Sequence, residues 1–122
     1  MSEPAEVLLF AYGTLQFKKI QEALFGRLLE GRPDILPGYI VLPLEITDPD
    51  VIATSGTAHH TSAHETGDPH DKVPGTLFRI TQAELAAADA YEGSDVKRVT
   101  VRLGSGLDAF VYVNARQNTV SS

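Results

Sequence analysis

No cysteine occurs anywhere in the 122 residues. Disulfides, thiolate nucleophiles and thiolate metal sites are excluded together, and the absence agrees with a reducing compartment. Clustered positive charge is also lacking: only Lys18-Lys19 and Lys97-Arg98 are adjacent, and the formal net charge is −6. Nucleic-acid surfaces are built from dense Lys and Arg, so nucleic acid is not expected as a partner. The third absence is of long apolar runs. The N-terminal "MSEPAEVLLF" carries Glu3 and Glu6 ahead of only a few apolar residues. A secretory signal starts basic with a longer apolar core, and a membrane span needs about 20 apolar residues. The expectation is a soluble cytoplasmic protein with no membrane association. Apolar residues still make up 43% of the chain, enough for a core, and the length suits one domain over 1–122.

The apolar stretch "EVLLFAY" predicts a central strand. Beyond it, Phe17, Ile20, Leu24 and Leu28 recur at helical spacing, with Gly31 and Pro33 as the expected stop. "DILPGYIVLPLEI" reads as extended, with Pro37 and Pro43 directing it to an edge, and "DVIATSG" reads as a weaker strand. Residues 55–72 lack apolar periodicity and are expected to be a long loop, a length that marks function or mobility. "VPGTLFRI" is a further strand. "TQAELAAADAYEG" is a helix, opened by a Thr81/Glu84 capping box and stopped by Gly93. "VKRVTVRL" and "DAFVYVNA" form a hairpin around Gly104-Ser105-Gly106. The tail 115–122 is expected to fray. The whole describes an α+β domain with two main helices and a sheet curled into a small mixed β-barrel.

Glu92 breaks the pattern of its helix. It follows Leu85 by seven residues and so returns to nearly the same direction, toward the core side. It also stands at the helix C-terminus, where the macrodipole disfavours negative charge. One reading lets the helix fray and Glu92 swing into water. The other keeps a partly desolvated carboxylate with raised proton affinity, suited to a general base. Asp89, about 40° from Leu85, is the rival, although a mid-helix Asp more often bonds a neighbouring backbone or cation.

The first strand leaves through Tyr12-Gly13-Thr14. Gly13 permits φ > 0, and successive N–H groups at such a corner converge on an anionic oxygen. The next helix would add its positive end. Thr14 offers a hydroxyl donor and Tyr12 a flat wall with a polar tip. The same corner also serves as a tight connection that binds nothing.

"AYGTL", "VPGTLFRIT" and "DAYEGSDVKRVTV" leading into "AFVYV" together resemble the gamma-glutamylcyclotransferase-like family, which includes the AIG2-like proteins, in order along nearly the whole chain. The resemblance implies a small mixed barrel around a pocket. It implies that Tyr12, Gly13, Thr14 and Leu15 cradle a glutamyl group and that Glu92, in "YEG", is the catalytic glutamate. Gly75 and Arg98 match family positions expected to be structural. The chain departs from the family at Val96, where a tyrosine is usual, and at "QFKKIQ", which replaces a Gly-x-x-Asn. The implied reaction cyclises a γ-glutamyl amide to 5-oxoproline and releases a free amine, without cofactor or metal. The implied partner is a small γ-glutamyl molecule.

Two alternatives accompany this reading. One is a small-molecule-binding protein of the same fold without turnover, which Val96 and the altered loop favour. The other is a metal-binding module using His59, His60, His64 and His70 with Glu65, Asp68 and Asp71, a zinc or nickel donor set. No recognised metal spacing is present, and Gly67-Asp68-Pro69 argues against a helix that would align His60 with His64. The segment reads better as a solvated loop, with residues 60–70 as a candidate lid over the pocket.

Overall fold

The run "EVLLFA" forms strand β1, Glu6–Ala11, in the computed structural model, which describes residues 6–45, 48–56, 59–93 and 95–115. β1 runs antiparallel to β5 (Lys72–Thr81) and parallel to β7 (Asp108–Asn114). Both of its faces are covered, as expected for a strand without polar alternation. Val7, Leu9 and Ala11 point into one core, with Ile20, Leu85, Ala88 and Tyr91. Leu8, Phe10 and Tyr12 point into a second, with Leu36, Val73, Leu77 and Val111. Burying such a side chain contributes roughly 1.5–3 kcal/mol, so β1 ties the two cores into one structure.

The remaining strands are β2 (Gly31–Pro37), β3 (Tyr39–Glu45), β4 (His59–Glu65) and β6 (Val96–Arg102). Their order is β2-β5-β1-β7-β4-β3, with β6 paired to β7. β7 pairs β6 along its length but meets β1 and β4 through one bridge each, Leu9↔Phe110 and Ala63↔Val113. The two end strands, β2 and β3, are consecutive in the chain and joined at Gly38, whose φ is +83°. A sheet whose ends share one bent segment must curl. Among the described residues no ladder joins β2 to β3, so the expected barrel is corrected to an open, curled, mixed sheet.

Three helices pack on this sheet where two main ones were expected: α1 (Lys18–Phe25), α2 (Pro49–Ser55) and α3 (Gln82–Glu92). α1 ends earlier than the periodicity predicts. Gly26, with φ +70°, caps it in the left-handed conformation, a stop that glycine makes easily, and Leu28 is left exposed. The segment "DVIATSG", read as a strand, is α2. Asp48 caps it by accepting from the Asp50 N–H at 2.9 Å, and Pro49 takes the first helical position, where a missing N–H costs nothing. The segment read as a loop is strand β4 over His59–Glu65, with Ser62 and Ala63 buried. A segment laddered to β3 over seven residue pairs does not act as a lid. The expected frayed tail lies outside the described residues beyond Ala115.

The Thr81/Glu84 capping box forms as read: Glu84 N–H donates to Thr81 Oγ1 at 3.1 Å and Thr81 N–H to Glu84 Oε1 at 2.9 Å. Arg27 adds two bonds to Glu84, at 2.7 and 2.9 Å, tying the chain after α1 to the start of α3. The "VKRVTVRL"–"DAFVYVNA" hairpin also forms, with Val99 and Val101 inward and Arg98, Thr100 and Arg102 outward. Among the described residues no helix is long and apolar enough to cross a membrane.

Gly75 shows how tightly β5 meets the end of β1. A Cβ there would sit 2.4 Å from the Ala11 carbonyl oxygen and 2.7 Å from Phe10 Cζ. The backbone atom has nowhere to retreat within the ladder. Gly75→Ala is expected to destabilise the fold by about 3 kcal/mol, the upper part of the overpacking range, read as a fall in the urea midpoint without a change in m-value.

Candidate active site

After Ala11 the chain leaves the sheet through Tyr12, whose hydroxyl is fully engaged. It donates to the Tyr112 carbonyl at 2.6 Å and accepts from the Ala63 N–H at 2.8 Å. Tyr12 thereby spans β7 and β4 where they share only one bridge, and burial pushes its phenol well above the usual range. Its polar tip is a structural tie rather than a free group. Gly13 has φ −124°, so the expected positive φ is corrected. A Cβ there would meet Thr61 Oγ1 at 3.8 Å, an ordinary van der Waals contact.

Thr14–Gln16 form a 3-10 turn, closed by Gln16 N–H to Gly13 O (3.1 Å) and Phe17 N–H to Thr14 O (2.9 Å). Among the described residues the N–H groups of Gly13, Thr14 and Leu15 have no backbone acceptor. These turn amides stand at the corner, because α1 begins only at Lys18 and its own N-terminus comes a turn later. Two glutamines hold the turn. Gln16 donates to Gly13 O (3.3 Å) and accepts from Thr76 (2.8 Å). Buried Gln21 donates to Leu15 O and accepts from the Leu29 N–H, both at 2.9 Å. The Leu15 side chain is buried in the core, so only its backbone is available to a ligand.

Across the cavity stands α3. Leu85, Ala88 and Tyr91 are buried on one face, and Glu92 continues it, half-buried at the cavity wall. The cavity measures about 590 Å³ and is lined by Tyr12, Gly13, Thr14, Leu15 and Glu92, together with Gln16, Phe17, His60, Thr61 and Tyr112 among others. The five residues singled out in the sequence therefore surround one space. Desolvation raises the Glu92 carboxyl to about 7, and among the described residues no hydrogen bond or ion pair offsets that burial. The reading in which Glu92 swings into bulk water is thus set aside.

Asp89 goes elsewhere. It accepts from Tyr112 Oη at 2.7 Å and from Arg98 at 2.9 Å, and the Arg98 guanidinium also lies 4.7 Å from the Phe110 ring centroid. Tyr91, next to Glu92, shares a 2.6 Å hydroxyl–hydroxyl bond with Thr14 Oγ1 that joins loop to helix directly. Tyr112, Tyr91 and Gln21 escape the sequence reading, while His60 and Thr61 enter it only within a solvated loop, as a candidate metal ligand and part of a candidate lid. For His60 and Thr61 a signal existed in the short apolar step at Ala63, which period-based reading discards. The side chain of His59 lies outside the described residues, and the other three histidines go separate ways: His60 meets Ser55 (3.0 Å), His64 meets Ser62 (3.1 Å) and His70 meets Asp68 (3.2 Å). Among the described residues no three His, Cys, Asp or Glu side chains form a metal-binding group.

The raised carboxyl has a stability consequence. Its folded-state proton affinity exceeds that of the unfolded chain, so folding is favoured with Glu92 protonated. That advantage is complete below the unfolded pKa near 4.3 and is lost as pH rises toward 7. Glu92→Gln removes the penalty. It should stabilise the protein by about 2–3 kcal/mol at pH 8 and leave it nearly unchanged at pH 4, as checked by thermal melts at both values.

With this geometry in place, comparison with known proteins is direct. A family model described as gamma-glutamyl cyclotransferase, AIG2-like matches residues 9–122. Among curated proteins none matches the chain. A solution structure from Arabidopsis thaliana is similar with a TM-score of 0.72 at 22% identity, covering 97% of this chain and 67% of that one. A second Arabidopsis thaliana solution structure gives 0.71 at 20% identity, over 93% of this chain and 71% of that one. A protein named gamma-glutamyl cyclotransferase gives 0.66 at 16% identity, over 90% of this chain and 67% of that one. The structural likenesses establish the shared fold, and on the match over 9–122 the chain belongs to the gamma-glutamyl cyclotransferase, AIG2-like family.

Proposed function

We propose that this protein is a cyclotransferase of the cytoplasm, a single domain that cyclises a γ-glutamyl amide to 5-oxoproline and releases a free amine. One observation carries the reading: an unpaired, desolvated Glu92 faces the Tyr12–Leu15 turn across one cavity. The substrate brings its own nucleophile. Its α-amine nitrogen attacks the γ-carbonyl carbon, forming the ring C–N bond, and the bond to the leaving nitrogen breaks. Holding the two ends in place lowers the barrier by roughly 7–11 kcal/mol.

Glu92 takes the proton from the α-amine and returns it to the leaving nitrogen, so protons balance and no redox partner is needed. The N–H groups of Gly13, Thr14 and Leu15 receive the oxygen on which negative charge develops, and being fixed by Gln16 and Gln21 they need little reorganisation. Thr14 Oγ1, already bonded to Tyr91, orients the glutamyl group from the side. Because Glu92 acts as a base and the α-ammonium must lose a proton near 7.7–8.0, turnover rises with pH through about 7.

A second reading, binding without turnover, is favoured by Val96. It is packed in the core with Tyr91 and Tyr112 and supplies no hydroxyl where family members usually have one. Incubation with a panel of γ-glutamyl amino acids and amines, followed by detection of 5-oxoproline, separates the two. Wild-type protein is expected to release 5-oxoproline, and Glu92→Gln to lose at least about 100-fold in kcat while still binding substrate by calorimetry. Binding with no 5-oxoproline from the wild type would establish the second reading.

A further inference from the structure

Asp89 has no part in the chemistry above, yet both of its oxygens are occupied. Tyr112 donates its hydroxyl proton to Asp89 Oδ1 at 2.7 Å, and Arg98 donates to Oδ2 at 2.9 Å. A phenol has one proton, so Tyr112 keeps none for another acceptor. Tyr112 and Glu92 line the same cavity, and Asp89 and Glu92 stand three residues apart on α3, neighbours on the helix surface. The one proton of a hydroxyl that lines the cavity of Glu92 is thus aimed at the carboxylate beside it.

We infer that Asp89, held by Arg98, is a positioning residue that draws the Tyr112 hydroxyl proton out of the cavity, so that Glu92 meets that hydroxyl's lone pairs and not its proton. Its purpose, though not its geometry, rests on the proposed function. A carboxylate that accepts a hydrogen bond becomes a weaker base, and diverting the proton preserves the base. The groups facing Glu92 from the surrounding elements are Tyr12 from the turn, Tyr91 from α3, Tyr112 from β7 and His60 from β4, with Asp48 against the following Gly93. Tyr12 gives its proton to a main-chain carbonyl, and Tyr91 is bonded to Thr14. Only the Tyr112 proton is held by a carboxylate side chain that substitution can remove.

The test is a carbon-detected NMR titration of the Glu92 side-chain carboxyl, its resonance assigned by loss in Glu92→Gln. Asp89→Ala releases the Tyr112 proton and leaves Arg98 without its carboxylate, and the Glu92 midpoint should fall by about one pH unit, tenfold in proton affinity. Loss of charge alone would also lower it, so the double variant Asp89→Ala/Tyr112→Phe decides. With no hydroxyl to turn, its midpoint should return most of the way to wild type, and a midpoint as low as that of Asp89→Ala overturns the inference. Asp89→Asn keeps an acceptor for Tyr112 but loses the charge, so its midpoint should fall no further than that of the double variant; a fall as large as that of Asp89→Ala is equally fatal. Should Asp89→Ala fail to fold, Tyr112→Phe alone suffices: an unchanged midpoint supports the inference, and a rise of a unit, meaning the hydroxyl had been donating to Glu92, overturns it. A merely structural Asp89 would lower the melting temperature and shift the Glu92 midpoint equally in Asp89→Ala and in the double variant. The titration needs no substrate, so this titration pattern without 5-oxoproline release would remove the enzymatic reading and leave the proton-diverting role standing.

Discussion

A half-buried, unpaired carboxylate at the last turn of α3 is the constraint on which the rest of the site depends. Burial and the negative end of the helix both disfavour its charged form, and without support the helix would unravel there and release Glu92 to solvent. The support comes from both ends of α3. At its start the capping box and the paired bonds from Arg27 fix the first turn. Along its inner face Leu85, Ala88 and Tyr91 lock its rotation. At its end Gly93, with φ +76°, turns the chain away where a side chain would crowd Asp48. The helix is fastened so that one residue can occupy an unfavourable place.

The opposite wall depends on the sheet. β1, β7 and β4 are joined by single bridges, which leaves a gap in their ladders. Tyr12 spans that gap by two hydrogen bonds, one to each flanking strand, and carries the 3-10 turn with it. Gln16 and Gln21 then fix the turn from both sides, and Thr14 reaches across to Tyr91. The cavity wall is therefore held by side chains that satisfy backbone groups the short ladders leave unpaired.

The positions of Glu92 and of the Tyr12–Leu15 turn were legible because each rests on local regularities: helical spacing for Glu92, an abrupt end of an apolar strand for the turn. The capping box and the closing hairpin were legible for the same reason. What could not be read was decided by tertiary contact. The strand His59–Glu65 has too little apolar alternation to announce itself, and it forms because β3 offers it a ladder over seven residue pairs. α2 was misread because Val51 and Ile52 have high strand propensity, which its Asp48 cap and Gly56 stop override. The alternation of strands and helices predicts a barrel because nothing in it shows that β2 and β3, consecutive through Gly38, form no ladder with each other. His60 and Tyr112 reach the site only through that global geometry.

Glu92 also stands apart from the other polar groups of the interior. Gln21, Ser62 and Asn114 are buried, and each has partners: Gln21 the Leu15 carbonyl and Leu29 amide, Ser62 the side chains of His64 and Asn114. Among the described residues no buried side-chain nitrogen or oxygen lacks a hydrogen bond, which is how folded proteins avoid the cost of desolvating polar groups. Three tyrosines surround Glu92, yet Tyr12 and Tyr112 direct their protons to a carbonyl and to Asp89. Among the described residues the polar interior is satisfied, while Glu92, desolvated and without a donor, is held at a cost in stability. The physical effect of that arrangement is a carboxylate with raised proton affinity at the cavity wall.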